Sequence, residues 1–148
     1  MTTASRTAAI VLMLLAGLAG GTAFAADPRG TWLTEGGKSR IKISDCGAAL
    51  CGTIAWLKEP NDPETGQPKT DKHNADAAKR SRPLIGVAIV LGMKASGTPD
   101  KWTGEVYNAE DGKTYSGNIT MQSANALKLE GCALGGLLCK GQTWTRAN

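Results

Sequence analysis

The chain has 148 residues, a formal net charge of +4, 19 glycines and four cysteines. This length suits one domain around one hydrophobic core and is short for two ordinary domains. The glycine content disfavours a helical bundle, because glycine destabilises helices. The small net charge is not that of a nucleic-acid-binding domain. We therefore expect one non-helical domain with no nucleic-acid partner.

Residues 1–25 have the pattern of a secretory signal peptide. Arg6 supplies the positive charge, an apolar run follows to Leu18, and Ala23–Ala25 offers the small residues that signal peptidase recognises. We predict cleavage after Ala25, which leaves one domain over residues 26–148 without a membrane span. The alternative is an uncleaved anchor, although the apolar run is short for one. The predicted location is periplasmic or secreted.

The four cysteines form two local pairs in the sequence, Cys46 with Cys51 and Cys132 with Cys139. An even number of cysteines in a small exported domain is typical of disulfides. Three pairings are compatible with the sequence, and we favour the two local ones. The alternative is a four-cysteine zinc site, but these spacings are wider than those of usual zinc motifs. We predict neither a metal nor a cofactor.

Apolar and polar residues alternate along most of the chain, as in half-buried strands. The predicted strands cover residues 31–34, 39–44, 50–57, 84–93, 102–108, 113–122, 126–131 and 142–146. Gly36-Gly37 and Asp111-Gly112 are predicted turns. The alternation places Trp56 on the same strand face as Leu50 and Ile54.

Residues 58–83 interrupt this pattern with prolines and glycines. A short helix is predicted around Ala77–Lys79, with Asp71 as a candidate cap, and it ends before Pro83. A loop of this length in a small domain is usually functional or disordered.

About eight sequential strands favour closure, because an open antiparallel layer would leave both edges unpaired. Glycines within the strands favour strong coiling and leave space inside. We therefore predict an all-β fold, an eight-stranded antiparallel up-and-down barrel with one long loop that carries a short helix.

The ends of the predicted barrel resemble the calycin pattern of lipocalin-like proteins. Gly30-Thr31-Trp32 opens the first strand as G-x-W, and Arg146 lies on the last strand. The resemblance implies that the Arg146 side chain packs over Trp32. Trp144 also lies on a terminal strand, so we expect Trp32, Trp144 and Arg146 to close the barrel.

A closer resemblance covers nearly all of the predicted mature chain. Its motifs are Gly30–Trp32, Cys46–Gly52, Ile54–Leu57, Asp71–Asn74, Arg80–Gly86, Trp102–Tyr107, Asp111–Tyr115 and Gly141–Arg146. They are similar to the exported bacterial family called domain of unknown function 2147. One departure is Asn74-Ala75-Asp76, where the family commonly has Asn-Pro-Asp. The resemblance implies a calycin-like barrel and no established activity.

Catalytic motifs are absent from the sequence, which has no Gly-x-Ser-x-Gly, paired-histidine or phosphate-loop pattern. His73, the only histidine, lies among Asp71, Asn74 and Asp76, and this group suits either acid–base chemistry or a solvated loop with a helix cap. The basic stretch Lys79–Arg82 suits an anionic partner, a solvated charged face, or structural ion pairs with these aspartates. We predict no catalytic residue.

Two functions are compatible with this sequence. In the first, a monomeric barrel binds a small apolar or anionic amphipathic ligand, with loop 58–83 as a lid. In the alternative, a packed barrel serves as an interaction or inhibitor module for an envelope protein. The ligand-binding candidates are Trp56, Asp71, Asn74, Arg80, Arg82, Trp102, Tyr107 and Tyr115. A cavity of about 300 Å3 or more would favour the first function.

Overall fold

The computed structural model describes residues 26–147, so the predicted signal peptide lies outside the described residues. In this part of the chain, eight strands form a closed antiparallel barrel. They are β1 (Gly30–Leu33), β2 (Ser39–Cys46), β3 (Ala49–Leu57), β4 (Ala88–Ala95), β5 (Lys101–Asn108), β6 (Lys113–Ser123), β7 (Ala126–Ala133) and β8 (Leu138–Ala147). Each strand pairs with the next, and β1 pairs with β8. The predicted eight-stranded up-and-down barrel is confirmed.

Helical structure within residues 26–147 is limited to single 3-10 turns at Glu35–Gly37, Ala77–Lys79 and Leu134–Gly136. None of these is long enough to cross a membrane. The prediction that Asp71 caps the second turn is wrong. Asp76 is the cap, since its side chain accepts a 3.0 Å hydrogen bond from the Ala78 amide, and Asp71 is buried elsewhere.

One end of the barrel is filled by apolar side chains and closed by Arg146. The core residues there include Trp32, Ile41, Ile43, Leu50, Val90, Met93, Ile119 and Leu127. The Arg146 guanidinium lies 4.2 Å from the Trp32 ring centre. It also donates hydrogen bonds to the carbonyl oxygens of Asp27, Arg29 and Ala124. This arrangement ties β8 to the start of the domain and to the β6–β7 turn.

Gly30, the first residue of the G-x-W motif, is required by this closure. Its φ is +125°, and a Cβ atom there would lie 2.6 Å from Nη1 of Arg146. Any side chain at this position would therefore combine backbone strain with a clash against the guanidinium.

Trp56 faces outward, contrary to the predicted strand face. Ile41 pairs with Ile54, but Arg40 pairs with Trp56, so Ala55 is an extra residue on β3. Such a β-bulge reverses the alternation of side chains beyond it. Trp56 consequently packs under Arg40 on the outer surface, with 4.9 Å between the guanidinium carbon and the ring centre.

Strand β4 begins at Ala88, four residues later than the predicted start at Leu84. Residues 84–87 form a turn instead, in which the Val87 amide donates to the Leu84 carbonyl and Gly86 has a φ of +97°. An apolar run is compatible with a buried turn as well as with a strand, and the positive φ at Gly86 breaks the extended backbone.

Two disulfides link adjacent strands. Cys46–Cys51 links β2 to β3, and Cys132–Cys139 links β7 to β8. This is the local pairing favoured by the sequence. No described cysteine is free, so the four sulfur atoms do not form the alternative zinc site. Disulfides are typical of oxidising compartments, and these two indicate an extracytoplasmic location.

Candidate functional site

The barrel contains a cavity of about 800 Å3 at the end opposite Arg146. Its mouth lies among the β1–β2, β3–β4, β5–β6 and β7–β8 connections. The apolar residues that line it include Ile54, Leu57, Leu84, Ile89, Val106, Leu129, Leu138 and Trp144. Three of these, Ile54, Leu129 and Trp144, also belong to the buried core and form the floor. Gly131 and Ala133 line the wall of β7 with little side-chain volume, which leaves the space open.

Polar and charged side chains also line the cavity. Gln142 is held by Trp144, whose indole nitrogen donates a 2.7 Å hydrogen bond to Oε1 of Gln142. The hydroxyl groups of Thr34 and Ser39 are 3.1 Å apart and form a hydrogen bond with each other. The charged residues that line the cavity are Glu35, Lys38, Glu110, Asp111, Lys113 and Lys140. The site thus combines an apolar interior with a mouth of mixed charge.

Tyr115 and Asp111 form one of the polar pairs in the cavity lining. The Tyr115 hydroxyl donates a hydrogen bond to the Asp111 carboxylate. This bond is the main cause that lowers the pKa of Asp111 and raises the pKa of Tyr115. At neutral pH the pair therefore presents a carboxylate and a protonated phenol to the cavity.

A second polar group, which we call the Asp71 cluster, consists of Asp71, Asn74, Arg82 and Tyr107. Asp71 is fully buried. Its carboxylate accepts hydrogen bonds from the Tyr107 hydroxyl at 2.6 Å, from Nδ2 of Asn74 at 2.8 Å, and from Nε and Nη2 of Arg82 at 2.9 and 2.7 Å. Burial alone would raise the pKa of Asp71. The hydrogen bonds from Tyr107, Asn74 and Arg82, together with the Arg82 charge, outweigh burial and lower it.

The Asp71 cluster fastens the β3–β4 connection, residues 58–87, to the barrel. Tyr107 belongs to β5, whereas the other three members lie in the connection. Arg80 reinforces this arrangement, because its Nε donates a 2.7 Å hydrogen bond to the Asn74 carbonyl. The basic stretch therefore makes structural contacts through Arg80 and Arg82, which is one of the interpretations that the sequence allowed.

The structure brings only Tyr107 and Tyr115, of the eight predicted ligand-binding residues, into the cavity lining. Asp71, Asn74, Arg80 and Arg82 lie in the connection, and Trp56 lies outside. Trp102 is half-buried against the core and follows the β4–β5 turn, which is at the closed end. Within the described residues, no group of three His, Cys, Asp or Glu side chains is arranged to hold a metal ion.

Sequence reasoning missed the apolar wall and the lysines of the cavity lining. The wall residues Val106 and Leu129 lie on the strands predicted over 102–108 and 126–131, and the apolar face of each strand's alternation is the signal that would have identified them. Lys38 immediately precedes β2 and Lys113 begins β6, so each lies next to a predicted turn. Only knowledge of which turns share one end of the barrel would have placed these two lysines together.

The fold is similar to that of protein HP1028 from the human pathogen Helicobacter pylori, which is described as a member of the lipocalin family. The two structures match with a TM-score of 0.68 and 22% sequence identity, over 83% of this chain and 84% of the other. At this identity the likeness shows the fold. No curated protein matches the chain. Residues 30–146 match the family described as "Uncharacterized protein conserved in bacteria (DUF2147)", and the chain therefore belongs to that family.

Proposed function

We propose that this protein binds a small apolar or amphipathic molecule inside its barrel, in the bacterial periplasm after removal of residues 1–25. The cavity of about 800 Å3 is the observation that carries the proposal. Ligand pockets commonly measure about 300–1,000 Å3. An eight-stranded barrel is narrow enough to be filled by side chains alone, so space of this size supports a carrier over the alternative module with a packed barrel.

The chemistry of the lining supports a ligand with an apolar body and a polar end. The apolar body would contact Leu57, Ile89, Val106 and Leu129, and its burial would supply most of the binding free energy. The polar end would lie at the mouth, where lysines are available to an anionic group. The likeness to a lipocalin adds support by fold analogy alone.

Native mass spectrometry of the protein purified after export tests this proposal directly. We expect a small molecule to co-purify, and we expect long-chain fatty acids or lysophospholipids to raise the melting temperature. The proposal would be wrong if no molecule co-purified and no lipid of either class changed the melting temperature.

A cavity-filling variant separates binding inside the barrel from binding on its surface. Gly131 lines the cavity, has no positive φ, and a Cβ atom there would meet Tyr115 only at an ordinary 3.6 Å. Gly131→Phe should therefore fold and occupy ligand space, so it should lose the lipid-dependent thermal shift. Thr103→Phe is the matched control, because Thr103 is exposed on β5 and does not line the cavity. Equal shifts in both variants would contradict binding in the barrel.

A further inference from the structure

The tip of the β7–β8 hairpin exposes three leucines to solvent. Leu134, Leu137 and Leu138 are 73%, 88% and 55% exposed. They lie in one short stretch of chain between Cys132 and Cys139, which we call the leucine finger. Isolated exposed apolar residues are ordinary, whereas contiguous apolar patches of a few hundred Å2 on a monomer are often functional.

The structure holds these leucines outward. The Cys132–Cys139 disulfide closes the hairpin directly below them. Leu134 has a φ of +54°, a left-handed conformation that is unfavourable for a leucine and persists only where the surrounding structure imposes it. All residues from 134 to 143 are exposed, so the tip of the hairpin is open to solvent.

The size and charge of the finger favour a lipid surface over a protein partner. Three leucines present a few hundred Å2 at most, whereas a stable dimer buries about 800 Å2 on each subunit. The finger is a convex tip, and residues 131–143 contain one charged side chain, that of Lys140. Insertion into a bilayer interface requires apolar area and no complementary shape.

We propose that the leucine finger inserts into the interface of a lipid bilayer and docks the protein on a membrane surface. Leu138 also lines the cavity, so docking through the finger brings the cavity mouth to the bilayer. The proposal goes beyond ligand binding and does not depend on it, since an empty barrel carries the same finger.

Co-sedimentation with phosphatidylcholine vesicles tests the proposal, on protein purified after export with its N-terminus verified by mass. We expect binding to neutral vesicles with little effect of salt, because insertion is driven by apolar area and the finger itself carries no charged side chain. Leu134→Ser with Leu137→Ser should reduce the partition coefficient about tenfold or more. Ala95→Ser is the control, because Ala95 is exposed at the end of β4, opposite the end that carries the finger, and its partition should equal that of the wild type.

Three results would overturn the proposal. The first is equal partition of wild type and the double variant. The second is binding that requires phosphatidylglycerol and disappears in high salt, since that behaviour belongs to the basic stretch Lys79–Arg82. The third is a wild-type dimer that Leu137→Ser converts to a monomer, which would assign the finger to a second copy. Leu137→Ser alone provides a further test of partition, since a side chain this exposed contributes little to the core.

Discussion

The Tyr107 hydroxyl donates a 2.6 Å hydrogen bond to Oδ1 of Asp71, and both residues are buried. The two residues are 36 positions apart in the chain. Their bond connects a barrel strand to the β3–β4 connection, which supplies Leu84 to the cavity lining. The Asp71 cluster holds this connection in its observed conformation. That conformation in turn shapes the cavity mouth.

We expect Tyr107→Phe to destabilise the protein by about 1–3 kcal/mol, because the buried carboxylate loses one of its donors. Urea unfolding monitored by tryptophan fluorescence measures this free energy. Tyr115→Phe is the matched control, since Tyr115 also donates to an aspartate but Asp111 is exposed. A similar small loss in both variants would mean that the Asp71 cluster does not stabilise the fold.

The Asp71 cluster also predicts a pH dependence. The pKa of Asp71 is lowered on folding, so the unfolded chain binds the proton more tightly. The stabilisation is therefore complete above the ordinary aspartate pKa of about 3.9 and is lost as the pH falls through the lower folded pKa. Asp71→Asn should be less stable than the wild type at pH 7, and the difference should shrink as the pH falls below about 4. A difference that stays constant with pH would contradict the lowered pKa.

The barrel order was predictable because period-two alternation survives in most strands. Ile41 and Ile43 illustrate this, and both are buried as their alternation requires. Trp56 was misplaced because the bulge at Ala55 leaves no mark in the local sequence. The burial of Asp71 was not predictable either, since its donor Tyr107 comes from a distant strand. The cavity depends on which turns meet at one end, which is a property of the closed barrel.

Arg146→Lys should cost about 1–3 kcal/mol in the free energy of unfolding, because a lysine cannot stack as a planar guanidinium or reach three carbonyl acceptors. Thermal or urea unfolding measures the loss. Arg40→Lys is the matched control, since Arg40 also lies over a tryptophan but on the exposed outer surface. We expect its effect to stay below about 1 kcal/mol. Equal effects would show that Arg146 is not needed for closure.

Both disulfides should form in the exported protein, and alkylation without reduction should label no thiol. The paired substitution of Cys132 and Cys139 by serine should lower the free energy of unfolding by about 2–2.5 kcal/mol, from the chain entropy of a short loop. The same double substitution at Cys46 and Cys51 is the comparison, and its loop is of similar length. Labelling of the unreduced wild type at any of the four positions would contradict the pairing.

Gly112, in the β5–β6 turn, packs closely against the backbone of the β3–β4 connection. A Cβ atom there would lie 1.7 Å from the His73 carbonyl oxygen, and its φ is +71°. Gly112→Ala should therefore lower the free energy of unfolding by about 2–4 kcal/mol, because the methyl group strains the backbone and also displaces the connection. Urea unfolding measures this cost, and limited trypsin digestion should show faster cleavage at the lysines and arginines of residues 58–87.

Gly47→Ala isolates the backbone strain in this experiment. Gly47 has a similar φ of +66°, but a Cβ atom there would meet no other atom within 4 Å. We expect the left-handed backbone alone to lower the free energy of unfolding of this variant by about 1 kcal/mol. Its trypsin cleavage pattern should remain that of the wild type. The difference between the two variants measures how firmly the connection is docked at His73. If Gly112→Ala and Gly47→Ala lost equal stability and were cleaved alike, the connection would not be held by this contact.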